Sequence, residues 1–337
     1  MASRPPAVAR VLERVTGTVR RHGLIPEGSK LVLAVSGGAD SLSLLHTMSR
    51  LRRLLRVRLS VVHVDHAVRE ASAADARYVE RVADRLGVAR ATYRVEGLPP
   101  RGSSPEAWLR TQRYRLFEHA RLDARADLVA TAHTSDDVAE TVLIGLVRGG
   151  GLDALAGIPP ARDRFVRPLL EVSRAETAAF CRALRLRPRE DPMNADPRYL
   201  RAAVRHQVIP AMERATGREV RATIARTASA VRRDAEFLDA LAREAEASVL
   251  APEDGGPGEV RLRATALRAL PDPVASRVVL RALRALDVAA ESAHVAAVLD
   301  LASGRPGRRA DLPGPLLATR DRTYVRVSLL PSRSTSP

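Results

Sequence analysis

The chain has 337 residues, of which 45 % are hydrophobic and only 3 % aromatic, and its formal net charge is +16. This composition excludes an intrinsically disordered chain and leaves enough length for more than one domain. The lone cysteine, Cys181, excludes an intramolecular disulfide and a zinc site built on cysteine pairs. No apolar run reaches the roughly 20 residues that a transmembrane helix needs, and the N-terminus lacks a secretory signal, so we expect a cytoplasmic protein.

The positive charge has two interpretations. It favours a polyanionic partner such as a nucleic acid. However, Lys30 is the only lysine among the 55 basic residues, and such a uniform preference for arginine is also typical of a biased genome composition. Charge alone therefore leaves RNA binding open.

Short β-branched segments alternate with longer helical segments from Lys30 to about Pro210. The predicted strands are 31–35, 59–64, 90–95 and 127–133. Strands separated by crossovers of helical length are typical of a parallel sheet that is covered by helices. The predicted fold class is therefore α/β, a doubly wound, mainly parallel, Rossmann-like sheet with its ligand loops at the carboxyl ends of the strands.

The composition of the last third of the chain differs from that of the first two thirds. Its predicted elements are a long Arg/Ala/Glu helix over 217–250, a linker at 253–259, two helices over 262–302 and a small hairpin within 316–330. We therefore predict two domains, a catalytic domain over 1–215 and a smaller helical domain over 216–337. The helical domain is expected to bind phosphates through its basic side chains.

The first predicted strand leads directly into Ser-Gly-Gly-Ala-Asp-Ser, residues 36 to 41. Gly37 and Gly38 allow positive φ and a close approach of backbone amides to an anion, and a helix beginning near Ser41 adds its dipole. The segment lacks the Gly-Lys-Ser/Thr of a Walker A loop and the third glycine of the dinucleotide fingerprint. The alternative is a tight turn in which the glycines serve packing alone.

This segment resembles the pyrophosphate-binding loop of the N-type ATP pyrophosphatases, the PP-loop superfamily, whose Ser-Gly-Gly-x-Asp-Ser pattern it matches in full. Members cleave ATP between the α and β phosphates, adenylate a substrate oxygen and release pyrophosphate. The resemblance implies ATP and Mg²⁺ as cofactors, with Asp40 as the metal ligand. The ATP-binding residues that it implies are Ser36, Gly37, Gly38, Ala39, Asp40, Ser41 and His63. A histidine at a strand end is also explained by ordinary hydrogen bonding.

A second polar cluster follows the strand predicted at 127–133. Its members, at helical offsets of three, four and seven, are His133, Asp136, Asp137 and Glu140. The apolar residues expected to point into the core are Val138, Val142, Leu143 and Leu146. Carboxylates in a first helical turn can simply cap the helix. Three acids and a histidine exceed what capping needs, and they form a candidate site for Mg²⁺ or for an ammonium group.

The segment "AHTSDDVAET" resembles the "AHT-DDQAET" signature of the tRNA(Ile)-lysidine synthase family. Further segments follow in the order of that family, namely "HVDHAVRE", "EAWLRTQRY", "RGGGLDALAGI", "RPLL" and "DPMNADPRYLRAAVRH". The resemblance is strong over residues 28–215 and loose beyond them. Three residues depart from the family pattern: Val138 replaces Gln, Ala154 replaces Gly, and Ala202 replaces the Asn that follows Arg201.

The family resemblance implies an enzyme that ligates lysine to C2 of the wobble cytidine of tRNA(Ile) with a CAU anticodon, through an adenylated tRNA intermediate. The implied partners are that tRNA and L-lysine, with a homodimer left open. The implied catalytic residues are Asp40, Arg113, Asp137, Glu140 and Arg205. The implied lysine-binding residues are His133, Asp136, Asp137 and Glu140.

Two other functions remain as alternatives. A PP-loop tRNA thiolase needs cysteines that carry sulfur or hold an iron–sulfur cluster, and a single cysteine within a helical pattern cannot supply them. The second alternative, a non-catalytic Arg-rich RNA-binding protein, does not explain why the polar residues of both motifs are intact. Those residues include Asp40, Ser41, Asp137 and Glu140.

Overall fold

The computed structural model describes residues 5–65, 72–100, 102, 104–189, 200–251, 258–286, 292–314 and 316–330. Its internal contacts divide the chain into two compact units. The first unit comprises the residues up to 150 together with 154–229, and the second comprises 151–153 together with the residues from 230 onwards.

The first unit is built on a six-stranded sheet of order β3-β2-β1-β4-β6-β5. Its strands are β1 (Lys30–Ala34), β2 (Arg58–Asp65), β3 (Ala89–Arg94), β4 (Leu128–Ala130), β5 (Ala161–Arg162) and β6 (Phe165–Val166). Only β5 is antiparallel to its neighbour, so the predicted mainly parallel α/β fold is confirmed. The fourth strand is shorter than predicted, because the chain leaves the sheet after Ala130 and turns into the next helix.

Helices cover both faces of this sheet. They are α1 (Pro6–Arg21), α2 (Ala39–Leu51), α3 (Ser72–Arg85), α4 (Pro105–Asp123), α5 (Ser135–Val147), α6 (Leu152–Leu155), α7 (Arg174–Ala183), α8 (Leu200–Ala203), α9 (Ile209–Thr216) and α10 (Val220–Val249), which continues into the second unit. A π-helical turn, Val204–Val208, joins α8 to α9. A capping box begins α7, since Glu176 accepts from the Ser173 N–H at 2.9 Å and the Ser173 hydroxyl accepts from the Glu176 N–H at 3.2 Å.

The two faces of β1 pack into two separate cores, as alternation along a strand requires. Leu31 and Leu33 join the core formed with α1, α2, α3 and α7, whereas Val32 and Ala34 join the one formed with α4. Cys181 is 2 % exposed and packs in the first core as a small apolar residue. Burial also raises the pKa of its thiol.

The second unit contains helices and a sheet of its own. Besides the end of α10, its elements are β7 (Glu259–Arg263), α11 (Ala264–Ala269), α12 (Asp272–Arg284), α13 (Ser292–Ser303), β8 (Arg309–Leu312), β9 (Leu316–Arg320) and β10 (Tyr324–Leu329). The long helix predicted over 217–250 is confirmed. The prediction of two helices over 262–302 was wrong, because this range holds three helices and the end of a strand.

The predicted terminal hairpin is confirmed as β9 and β10, but it forms the centre of a four-stranded antiparallel sheet of order β7-β10-β9-β8. The outer strands escaped prediction because both are short and rich in charge, and their pairing partners are set by tertiary contacts. The second unit is therefore mixed in structure and not simply helical. Of the predicted linker, residues 253–257 lie outside the described residues.

The positive charge is concentrated in the first two thirds of the sequence. Residues 1–229 contain 39 basic and 25 acidic side chains, whereas residues 230–337 contain 16 basic and 14 acidic ones. The predicted C-terminal domain, 216–337, is therefore only weakly basic, with 19 basic and 15 acidic side chains. Any electrostatic attraction of a polyanion acts mainly on the part of the chain that carries the parallel sheet. Within the described part of the chain, no helix has the length and apolar character needed to cross a membrane.

Burial of His46 on α2 makes the stability of this fold depend on pH. Burial lowers the pKa of His46 from 6.5 to about 4, and Arg50 and Arg85 act in the same direction. Between these values the unfolded chain binds a proton that the folded chain does not. The free energy of unfolding therefore falls as the pH falls, with a limit of about 1.4 kcal/mol per pH unit for one group.

We expect His46→Gln to reduce this loss of stability, measured by urea denaturation at several pH values between about 7 and 5. Ser49→Ala is the control, because it alters the same helix without removing a group that titrates in this range. An unchanged pH slope in His46→Gln would show that His46 is not the source.

Candidate nucleotide and amine site

The loop between β1 and α2 is shaped by one of its two glycines. Gly37 has a φ of +94°, in the region that favours glycine, whereas Gly38 has a φ of −72° and is the N-cap of α2. Of the two glycines that allow positive φ, only Gly37 therefore uses it. Helix α2 begins at Ala39, slightly earlier than predicted.

The amides of this loop converge on a single point. The N–H groups of Ser36 and Gly37 donate to Ser41 Oγ at 3.2 and 3.1 Å, and Ser41 Oγ donates in turn to the Gly38 carbonyl at 2.9 Å. Convergent amides are the geometry of an anion-binding nest. The loop's own Ser41 hydroxyl therefore lies at the point where these amides converge. A phosphate oxygen would have to displace that hydroxyl.

Two further residues border the loop. Arg189, which the sequence did not indicate, donates its N–H to the Gly37 carbonyl at 3.0 Å and places its guanidinium over the Tyr78 ring. His63, at the end of β2, is buried with Nδ1 2.8 Å from the Val35 carbonyl. Because a carbonyl only accepts, Nδ1 carries the proton in this contact. Ordinary hydrogen bonding thus accounts for one nitrogen of His63, and its contact with ATP stays a prediction.

The two carboxylate oxygens of Asp137 make different contacts at the start of α5. Its Oδ2 accepts from the N–H and hydroxyl of Thr134 at 2.8 and 2.9 Å, which forms a capping box. Its Oδ1 faces away from the cap and accepts from Arg174 Nη2 at 2.5 Å. Capping therefore explains one oxygen of Asp137 and leaves the other oxygen for a different role.

Arg174, the first residue of α7, contacts all four acids of the two motifs. Its guanidinium donates to Asp137 and to Glu140 Oε1 at 2.5 Å each, and its Nε lies 3.5 Å from Asp40 Oδ2. Its backbone N–H donates to Asp136 Oδ2 at 2.9 Å. The sequence analysis missed this residue. The available signal was its position, because a cation in the first turn of a helix opposes the helix dipole.

Glu140 is fully buried and is held by two further arginines. Arg205 donates from Nε and Nη2 to its two oxygens at 2.7 and 3.1 Å, a forked contact, and Arg201 Nε lies 3.6 Å from Oε2. Arg205 belongs to the π-helical turn, a conformation that often marks functional sites. Both arginines are thus held in place although Ala202 stands where the family pattern has Asn.

The environment shifts the pKa values of Asp40 and Asp137 in opposite directions. For Asp40, burial raises the pKa despite a 2.5 Å hydrogen bond from the Thr177 hydroxyl and the charge of Arg174. For Asp137, burial alone would raise the pKa, but Arg174 and the bonds from Thr134 outweigh it and lower the pKa. Asp137 is therefore ionised at neutral pH and paired with an arginine.

His133 precedes α5 and does not share the helical face of the acids. Its Nδ1 lies 2.9 Å from Thr131 Oγ1. Burial lowers its pKa to about 3, and Arg167, Arg110 and Arg113 act in the same direction, so the imidazole is neutral at physiological pH. The charge of the predicted catalytic residue Arg113 thus acts on His133, whereas Arg205 lies within the acid cluster.

The predicted core face of α5 is confirmed only in part. Val138 and Val142 are buried against Leu170, so the departure of Val138 from the family pattern affects packing and not the acidic face. Leu146 was expected in the core but is 55 % exposed. The neighbouring loop at Gly157 reaches Val138 and Val142, and the last turn of α5 extends past it.

Residues 66–71 and 190–199 lie outside the described residues, and with them most of two segments that support the family resemblance. Among the side chains that the structure describes, no three His, Cys, Asp or Glu residues form a cation site. Asp40 by itself fits Mg²⁺ binding, since Mg²⁺ with nucleotides commonly uses one or two carboxylates together with the phosphates.

The conformation of Gly37 gives a testable prediction. An added Cβ at Gly37 or Gly38 would meet no atom closer than 3.5 Å, so the two positions differ in backbone conformation and not in space. We expect Gly37→Ala to lower the free energy of unfolding by about 1–2 kcal/mol, and Gly38→Ala to change it by less than about 0.5 kcal/mol. Urea denaturation of both variants checks this, and equal effects would contradict it.

Comparison with known proteins agrees with the residues described above. Residues 9–212 match the model of a PP-loop domain. The chain is 40 % identical to the tRNA(Ile)-lysidine synthase of Salinispora tropica over 95 % of this chain and 96 % of the relative. It is 35 % identical to the enzyme of that name from Thermobifida fusca over 97 % and 99 % of the two chains.

A solved structure shares the fold. The U34-tRNA thiolase NcsA of Methanococcus maripaludis, described with its [4Fe-4S] cluster, superimposes with a TM-score of 0.57 at 16 % identity, covering 67 % of this chain and 80 % of that one. Similarity at this level supports the sheet topology alone. The sequence relatives and the matching domain model together show that this chain belongs to the tRNA(Ile)-lysidine synthase family of PP-loop proteins.

Proposed function

We propose that the chain is a ligase that joins lysine to C2 of the wobble cytidine of tRNA(Ile) with a CAU anticodon, at the expense of ATP. The observation that carries the proposal is the meeting of the two motifs, because Arg174 lies against both Asp40 of the PP-loop and the acids of α5. The name of the relatives supports the same chemistry. ATP, lysine and tRNA occur together in the cytoplasm, where we expect the reaction.

In the proposed first step, the C2 oxygen of the cytidine attacks the α-phosphate of ATP and pyrophosphate leaves. The amides of Ser36 and Gly37 and the N-terminus of α2 would stabilise the negative charge of the departing group. Ser41 would exchange its present contacts for contacts with a phosphate oxygen. Asp40 would hold Mg²⁺ together with the phosphates, and the ion would supply positive charge next to the phosphate oxygens.

In the proposed second step, the ε-amine of lysine forms a bond to C2 and the bond between C2 and the AMP oxygen breaks. The amine has a pKa near 10.4 in free lysine, so the bound ammonium must lose a proton before it attacks. We assign binding of the ammonium to Asp136, Asp137 and Glu140, with His133 beside them, and acceptance of the proton to the same carboxylates. Holding the amine and C2 together provides roughly 7–11 kcal/mol of entropic advantage.

We assign different roles to the two predicted catalytic arginines. Arg113, whose charge acts on the neutral His133, is proposed to contact a phosphate or the cytidine. Arg205 is proposed to position Glu140, to which its fork is already bound. Residues 1–215 would supply the catalytic groups, and residues 216–337 would add contacts to the tRNA, with most of the electrostatic attraction coming from the first unit.

The alternative of a tRNA thiolase is weakened by the surroundings of the only cysteine. Cys181 is 2 % exposed, burial raises its pKa, and Ser43 Oγ lies 3.4 Å from its sulfur. A sulfur carrier needs an accessible thiolate. The non-catalytic alternative offers no reason for four acids to contact one partly buried arginine beside a nucleotide loop.

We predict that Asp137→Asn folds and abolishes lysine incorporation, a loss of at least about a hundredfold. Asparagine keeps an oxygen for the cap of α5 but removes the charge that holds an ammonium group. The matched control is Asp84→Asn at the exposed end of α3, where the carboxylate pairs only with Arg90 among the described contacts. Labelled-lysine incorporation and thermal unfolding of both variants provide the measurement. Full activity of Asp137→Asn would remove the acids from the mechanism.

The proposed function itself is tested with purified protein, ATP, labelled lysine and transcripts of tRNA(Ile) that carry either a CAU or a GAU anticodon. We expect lysine on the CAU transcript alone, together with release of AMP and pyrophosphate. Transfer of sulfur, or absence of ATP turnover with both transcripts, would overturn the assignment.

A further inference from the structure

We propose that Arg174 is a positioning residue that makes lysine binding depend on the nucleotide. In this inference, which rests on the proposed function, the guanidinium of Arg174 occupies the lysine-ammonium site until a phosphate group in the PP-loop attracts it. The nucleotide and the amine would therefore bind in that order, and each would strengthen the binding of the other.

The charges of the cluster show why the ammonium cannot simply be added. Four carboxylates, from Asp40, Asp136, Asp137 and Glu140, face four guanidinium groups, from Arg174, Arg201, Arg205 and Arg221. The cluster is thus balanced, and Glu140 is fully buried within it. An ammonium ion would bring an unbalanced positive charge against the buried carboxylates of Asp137 and Glu140, which is unfavourable. One positive charge has to leave when lysine binds.

Arg174 is the arginine best placed to leave. Among these arginines, it is the one for which a contact with the nucleotide loop is seen, since its Nε lies 3.5 Å from Asp40 Oδ2. Its two Nη atoms also lie 2.5 Å from Asp137 Oδ1 and from Glu140 Oε1. Arg205 reaches Glu140 closely but stays 3.9 Å from Asp137, and Arg201 divides its donors between Glu140 and Thr141. Moving Arg174 alone would therefore free Asp137 Oδ1 and remove one of the two short contacts on Glu140 Oε1, while Arg205 would still hold Glu140.

The backbone of Arg174 can stay in place while its side chain moves. Its N–H is bound to Asp136 Oδ2 at 2.9 Å, and the preceding residue, Ser173, is locked in a capping box with Glu176. A phosphate in the neighbouring loop offers the guanidinium a forked acceptor. The change needed is a side-chain rotation, which leaves the helix and both motifs intact.

The proposal is tested by the affinity for lysine in equilibrium dialysis, with and without Mg²⁺ and a non-hydrolysable α,β-methylene analogue of ATP. For the unmodified chain we expect the analogue to tighten lysine binding at least tenfold. For Arg174→Gln we expect less than a twofold change, because lysine no longer competes with a guanidinium. By linkage, lysine should tighten binding of the analogue by the same factor in each protein.

The matched control is Arg14→Gln. Arg14 contacts the same helix from outside, with Nε 3.2 Å from Glu176, and its side chain is half exposed. In this variant the analogue should still tighten lysine binding at least tenfold. That result would show that the effect is specific to Arg174 and does not follow from removing any arginine near α7. Arg174→Lys retains a positive charge on a shorter side chain that has a single ammonium group in place of the forked guanidinium. In this variant the analogue should tighten lysine binding by a factor between those of the unmodified chain and Arg174→Gln. It also serves as the test variant if circular dichroism shows that Arg174→Gln is unfolded.

Two results would overturn the inference while leaving the proposed function intact. One is equal lysine affinity with and without the analogue in the unmodified chain. The other is tenfold coupling that persists in Arg174→Gln or is undiminished in Arg174→Lys. Absence of lysine binding under every condition would instead overturn the proposed function, and this inference with it.

Discussion

One guanidinium group shared among three carboxylates is the interaction on which the site depends. Ion pairs of this kind are weak contributors to net stability because their desolvation offsets the attraction, yet removing one partner of a buried pair typically costs about 3–5 kcal/mol. The cluster is therefore held in place by its own charge balance. It makes the nucleotide loop and the acidic helix parts of a single electrostatic unit, through Arg174.

The sheet topology brings these groups together. Strands β1 and β4 are parallel neighbours, so their carboxyl ends meet at the same edge, and each continues into a helix that begins at the site. Chain connections diverge on either side of this pair, since β2 and β3 lie beyond β1 and β6 lies beyond β4. Such a switch point is where open α/β sheets bind their ligands. Helix α7 then adds Arg174 from a distant part of the sequence.

Local patterns in the sequence predicted strands β1 to β4 and the terminal hairpin, the phosphate loop and the acidic helix. These features depend on neighbouring residues, such as the β-branched run before Ser36 and the capping residues around Asp137. Arg174 was missed because its partners, Asp137 and Glu140, lie 37 and 34 residues away, and no local pattern encodes that contact. The position of the Ser41 hydroxyl among the loop amides was missed for a different reason. Its rotamer is set by hydrogen bonds from the Ser36 and Gly37 N–H groups, which point at one place only in the folded loop.

The most direct measurement of the central claim is a crystal structure of the chain with the α,β-methylene analogue of ATP and lysine. The account predicts that the Arg174 guanidinium contacts a phosphate oxygen and that the lysine ammonium lies against Asp137 and Glu140 in its place. A structure with both ligands bound, in which Arg174 keeps its present contacts with Asp137 and Glu140, would contradict it.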